Sequence, residues 1–220
     1  EQDPRIGCIV SLGGDGTNRA IAKEIKDTPM ISLSTGTNNV YPDWVEGTAA
    51  GLAAGLTATK ACDCADFIRR QKRIEIHKNG AFTDIALIDA VLSNDPVIGS
   101  KAIWHTESIL GVVVSRCHPA SIGFSSIAGV RQIVTAQDPY GGIVFLGRGY
   151  QKVVAPVAPG ILEEIGVSPM TRLPVGQAYR WEPQQRGTIA LDGERELHVK
   201  PGDILHFTVT DAGPLKVHVR

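Results

Sequence analysis

One short run, Gly13-Gly14-Asp15-Gly16-Thr17, constrains this chain more than any other stretch. The segment before it, Ile6-Gly7-Cys8-Ile9-Val10, is short and apolar, as a buried strand is. After it, Ile21 and Ile25 fall on one face of a helix. The glycines therefore belong to a strand-to-helix turn, where they let the backbone bend tightly and let a ligand approach. A helix start offers unpaired N–H groups and partial positive charge, a natural seat for phosphate. Asp15 is out of place there, because a carboxylate repels phosphate. Its presence points to chemistry: accepting a proton from a hydroxyl, or holding Mg²⁺ beside the phosphates. The plainer reading is a glycine turn with a capping Asp.

Two common phosphate-loop patterns are excluded. Arg19 stands where the dinucleotide fingerprint G-x-G-x-x-G needs its last glycine, and no G-K-[ST] of a P-loop is present. A second polar loop, Ser34-Thr35-Gly36-Thr37-Asn38-Asn39, follows a second apolar run, Pro29 to Leu33.

The Gly-Gly-Asp-Gly-Thr run resembles the signature of the NAD kinase and diacylglycerol kinase superfamily. The second loop is similar to the Gly-Thr-x-Asn element of its lipid-kinase members. Within that superfamily the chain most resembles the ATP-NAD kinase-like proteins related to acetoin-catabolism protein X. The resemblance implies an α/β plus β fold: a Rossmann-like nucleotide domain, truncated here, followed by a β-sandwich-like domain. It implies that Gly13, Gly14, Gly16, Thr17 and Asn18, with Gly36, Thr37 and Asn39, line nucleotide phosphates. Asp15 would be the base or the metal-organising carboxylate. Asp192-Gly193-Glu194 matches a late Asp-Gly-Glu, which makes Glu194 a rival base and Asp192 a second metal candidate. Ala86-Leu87-Ile88-Asp89 stands where NAD kinases carry Ala-Leu-Asn-Glu. Asp89 keeps the acidic position for nucleotide binding, while Ile88 removes an amide and argues against NAD as acceptor. The implied cofactors are ATP and Mg²⁺, the implied partner a small-molecule acceptor, and a homo-oligomer is allowed. The implied activity is phosphoryl transfer to a hydroxyl, with a non-catalytic nucleotide-binding or regulatory module as the alternative.

Along the chain, the pattern predicts strands at 5–12 and 29–33, a helix at 17–26, and another helix opened by Asp43 and Glu46. Near residue 70 helical pattern gives way to alternation, so 1–70 reads as the nucleotide domain and 71–220 as the β-rich one. Asn79-Gly80 predicts a hairpin whose return strand runs from Phe82 to Val91. Residues 102–116, with Ile103, Trp104, Ile109, Leu110 and Val114, suggest a helix. The last third reads as an antiparallel meander: 142–146, 151–156, a hairpin of 188–191 with 195–199 about Asp192-Gly193, then 204–209 and 215–219. Only 12 residues precede the glycine motif, where relatives carry further strand-helix units, so the nucleotide domain is expected to be incomplete.

Composition excludes some alternatives. The net charge is −1, which gives no basic footprint for nucleic acid. No apolar run approaches the roughly 20 residues of a membrane span. Four cysteines in 220 residues make no disulfide framework, so reduced thiols and a cytoplasmic setting are expected. Cys62 and Cys64 form the one close cysteine pair, without the clustered histidines that would suggest metal.

Overall fold

A computed structural model describes residues 3, 5–61, 63, 65–95 and 106–219, without the side chains of 65, 195 and 196. The strands in chain order are β1 (Ile9–Gly13), β2 (Met30–Ser34), β3 (Ile68–Arg70), β4 (Arg73–Lys78), β5 (Ala81–Ala86), β6 (Asp89–Ser93), β7 (Ile109–Val114) and β8 (Tyr140–Ala158). They continue with β9 (Ile161–Val167), β10 (Thr171–Pro174), β11 (Ala178–Trp181), β12 (Gly187–Leu191), β13 (Glu194–Val199), β14 (Leu205–Thr210) and β15 (Leu215–Val217). The helices are α1 (Asp15–Glu24), α2 (Gly47–Thr59) and the short α3 (Ser125–Gly129). The chain divides into two compact units, Glu1–Lys72 with Asp211–Arg220, and Arg73–Thr210.

The first unit is built on a sheet of order β1-β2-β15-β3. β1 and β2 are parallel, in register from Ile9 with Met30 to Gly13 with Ser34, and α1 connects them. Alternation sends Ile31 and Leu33 to one face, where they bury with Val217 and Ala50 of α2. The second helix begins at Gly47, later than the sequence suggests. Glu46, rather than Asp43, is its N-cap, accepting from Thr48 N and Ala49 N. Asp43 is instead held beside β2: Asp43 N donates to Ser32 O at 2.9 Å, and Ser34 N donates to Asp43 O at 2.9 Å. Those two bonds close the base of a loop over 35–42.

β15 departs from the expected meander. It does not pair with β14 but lies between β2 and β3, parallel to the first and antiparallel to the second. The turn before it is tied at Gly213, whose N–H donates to Gln71 O at 3.0 Å. The first unit thus takes its fourth strand from residues the sequence pattern assigned to the β-rich half.

The second unit holds two sheets. One has the order β10-β8-β7-β6-β12-β13, with β9 added on β8; the other runs β11-β14-β4-β5. They share a core in which Ala90, Leu92, Ile143 and Ile189 of the first meet Ile74, Ile76, Phe207 and Val209 of the second. The alternate residues of the larger sheet, among them Val91, Val112, Val114 and Val144, bury on its other face against α3 and the far end of the β8–β9 hairpin. A sheet covered on both faces needs strands that are apolar throughout, and this explains a misreading. Residues 109–114 are strand β7 rather than part of a helix, and 106–108 form a 3₁₀ turn; Ile103 and Trp104 lie outside the described residues. Ile109-Leu110-Gly111-Val112-Val113-Val114 carries no alternation to betray a strand.

The expected single strand from Phe82 to Val91 breaks at Leu87 and Ile88 into β5 and β6, which belong to different sheets. Conversely, 142–146 and 151–156 are parts of one strand, β8, with an irregularity between Leu146 and Gln151 where it pairs with β9. Cys62 and Cys64 lie outside the described residues; Cys8 is half-buried, and the buried Cys117 thiol donates to Gln132 O at 3.2 Å. Among the described residues, no helix is long and apolar enough to cross a membrane.

Candidate functional site

The glycine motif occupies the junction of β1 and α1. Gly14 is the N-cap of α1 and supplies no side chain to it; the first intrahelical bond runs from Asn18 N to Gly14 O at 3.1 Å. Gly16 and Thr17 therefore present amides from the first turn, ahead of the hydrogen-bond ladder. Thr17 is exposed and Gly16 partly so. Asn18 is fully buried and its Nδ2 donates to Gly14 O at 2.7 Å, so it supports the turn from beneath.

Asp15 joins this turn to the loop after β2. Its Oδ1 accepts from Tyr41 N at 2.7 Å, and its two oxygens accept from Val40 N at 3.1 and 3.0 Å. The same loop reaches back through Asn39. That side chain donates to Ser34 Oγ at 2.9 Å, and it lies so close to Gly14 and Gly36 that a Cβ would come within 2.6 Å of it at the first and 2.9 Å at the second. Both glycines are needed for this approach. Gly13, Gly14, Asp15, Asn18, Gly36 and Asn39 are thus gathered in one place, with Thr17, Thr35, Thr37 and Asn38 exposed at its rim.

The remaining sequence-predicted residues lie in the second unit. Asp192 and Gly193 are the turn between β12 and β13, with φ of 49° and 88°, the left-handed pair of a tight hairpin. The Asp192 carboxylate is turned inward. It accepts from Leu87 N at 2.7 Å, Ile88 N at 2.7 Å and Asp89 N at 3.1 Å. Those amides belong to the corner where the chain passes from one sheet to the other, and Asp192 satisfies them. Ser115 completes the corner, its N donating to Ile88 O at 2.9 Å and its Oγ to Leu87 O at 2.5 Å. Asp89 is 8% exposed and Glu194 is exposed at the start of β13. Ile88 is 1% exposed, a residue of the core. Among the described residues, no three His, Cys, Asp or Glu side chains converge as a metal cluster.

Two features escaped sequence reasoning. Lys216, 1% exposed, donates to Tyr41 O at 2.6 Å and to Asp43 Oδ1 at 2.9 Å. Asp203, also buried, is bonded by Asn79, Lys78 and the Lys200 N–H. A lysine two residues into a short strand and an Asp in a Pro-Gly-Asp turn carry no signal that would single them out.

A parallel strand-helix-strand unit with a glycine turn clasped to a second polar loop, in a chain that also carries a two-sheet β unit, is a kinase-like scaffold of the NAD kinase type. Residues 1–61 match the ATP-NAD kinase N-terminal domain. Residues 72–212 match the acetoin catabolism protein X C-terminal domain, and the chain belongs to that family. It is 42% identical over 216 residues to the acetoin catabolism protein X of Cupriavidus necator, covering 95% of this chain and 60% of that protein. Among solved structures it resembles yeast NADH kinase complexed with NADH, with a TM-score of 0.56 and 14% identity, over 96% of this chain and 62% of the other; this likeness concerns the fold.

Proposed function

We propose that the chain carries an ATP-dependent phosphotransferase site of the NAD kinase-like group, which moves the γ-phosphoryl of ATP to a hydroxyl of a small-molecule acceptor. The observation that carries the reading is the uncapped first turn of α1, held against the 35–42 loop by Asp15. Backbone amides at a helix start, reached across glycines, suit the phosphates of a nucleotide. Gly13, Gly14, Gly16 and Thr17 would cradle the phosphates from one side, and Gly36, Thr37 and Asn39 from the other.

Asp15 receives N–H bonds on both oxygens, Oδ1 from Val40 and Tyr41 and Oδ2 from Val40. Asp15 is the residue that would hold Mg²⁺, one carboxylate together with nucleotide phosphates being a usual arrangement for that ion. Bound there, Mg²⁺ would neutralise charge developing on the transferred group. As a base, the ionised Asp15 carboxylate would accept the proton of an attacking hydroxyl. Glu194, exposed at its hairpin, is the alternative base. Asp192 is proposed as a structural clasp, since three backbone amides hold its carboxylate inward.

A second reading is a module that binds a nucleotide without turning it over. The observation favouring it is that the bonds to Val40 and Tyr41 explain Asp15 through folding alone. The discriminating experiment is ADP release from Mg-ATP, with NAD, NADH and unrelated hydroxyl compounds as acceptors. Release that depends on an acceptor and is lost in Asp15→Asn supports the transferase. Nucleotide binding without release under every acceptor supports the module.

A further inference from the structure

The strongest unassigned feature is the buried ammonium of Lys216. It sits in the middle of β15, where Val217 turns to the apolar face under α2 and Lys216, by alternation, to the other. Burying an ammonium is costly unless its protons find acceptors, and an apolar side chain of similar volume fills such a site without that cost. The Lys216 Nζ finds Tyr41 O at 2.6 Å and Asp43 Oδ1 at 2.9 Å, and stands 4.8 Å from the centre of the Tyr41 ring. All three contacts are on 41–43, the limb that closes the 35–42 loop beside β2.

Tyr41 is thereby held at both ends. Its N–H is bound by Asp15 at the glycine turn and its carbonyl by Lys216 on the C-terminal strand. We infer that Lys216 is a positioning residue for the nucleotide site: it sets the 35–42 loop against the first turn of α1, and through Tyr41 it is coupled to Asp15. The inference rests on the nucleotide reading of that site only for its functional consequence. The mechanical part stands on the contacts themselves. β15 is then a working part of the site, although Lys216 lies 175 positions from Tyr41 in sequence.

The test uses Lys216→Met, which keeps the length and loses the donors, with Lys216→Arg as the conservative rescue. The first readout is amide hydrogen exchange without nucleotide. Val40 and Tyr41 should exchange at least about tenfold faster in Lys216→Met, the equivalent of one charge-assisted hydrogen bond, with partial recovery in Lys216→Arg. The β2 amides of Ile31 and Leu33 serve as reference. The second readout is the Kd for Mg-ATP of wild type, Asp15→Asn, Lys216→Met and the double variant. Lys216→Met should weaken binding about tenfold, and the two substitutions should combine less than additively, as coupled residues do. A residue that only packs would lower the melting temperature while leaving Kd and the relative exchange of Val40 and Tyr41 unchanged, and that result overturns the inference. Should wild type bind no Mg-ATP, the nucleotide reading fails while the exchange result still decides the role of Lys216. Should Lys216→Met not fold, Asp43→Asn removes a charged partner at a less buried position, and faster Tyr41 exchange is again the expected outcome; unchanged exchange contradicts it.

Discussion

The carboxylate of Asp15 accepts the N–H of Tyr41 at 2.7 Å across 26 positions of sequence, and this bond joins the two polar loops of the first unit. Asp15→Asn retains one acceptor oxygen but turns an NH₂ toward the Val40 or Tyr41 amide. The variant should lose about 1–3 kcal/mol, the cost of a buried donor left unpaired. Its phosphotransfer rate should fall by about 10² to 10⁴ if Asp15 also serves as base. Denaturant unfolding and turnover, measured together, separate the two effects. A wild-type rate in a destabilised variant would assign Asp15 to the fold alone.

Asp192 poses the same question with a different expected answer. Asp192→Ala leaves the amides of Leu87, Ile88 and Asp89 without the acceptors that held them. At 1–3 kcal/mol for each unpaired buried donor, a loss of about 3 kcal/mol or more is expected. Stability without added metal should fall as much as stability in Mg²⁺. A loss seen only in the presence of Mg²⁺ would make Asp192 a metal ligand instead.

Ile88→Asn is expected to destabilise rather than to create a dinucleotide contact. The side chain is 1% exposed, so the amide would be buried where Ile88 now packs, a cost of roughly 2–5 kcal/mol. Chemical denaturation checks this. A stable variant with raised NAD affinity would return Ile88 to the binding surface.

Acid sensitivity should centre on Asp203. Burial pushes its carboxyl up, but the bonds from Asn79, Lys78 and the Lys200 N–H, with the charge of Lys78, outweigh burial and hold it below its ordinary value of 3.8. The unfolded chain therefore binds the proton more readily, and stability rises with pH through that window. The contribution is complete above about pH 4, the unfolded range, and is lost as pH falls through the lower folded value. Asp203→Asn should remove it, so that urea midpoints of wild type and variant converge toward acid pH and diverge above. Parallel curves would contradict the assignment.

How much of this was legible beforehand depended on whether the cause was local. The strand, turn and helix about Gly13–Thr17 follow from apolar spacing within one short window, and the β12–β13 hairpin from Asp192-Gly193. β7 was hidden because a strand buried on both faces has no alternation to display. The place of β15 was hidden because pairing partners are chosen in space, and β2 and β3 lie far back in the chain. The candidate site divides in the same way. Its glycines and Asp15 form a contiguous motif, whereas the bonds that give them their arrangement, Asp15 to Tyr41 and Lys216 to Tyr41, span 26 and 175 positions.

The measurement that bears most directly on the central claim is a titration of the ¹⁵N-labelled chain with Mg-ATP, followed amide by amide. The account predicts saturable shifts at Gly14, Gly16 and Thr17 and at Gly36, Thr37 and Asn39. With nucleotide at one hundred times its Kd, the folded state should gain about 2.7 kcal/mol. No shift at those amides in millimolar Mg-ATP, or shifts confined to other residues, would contradict it.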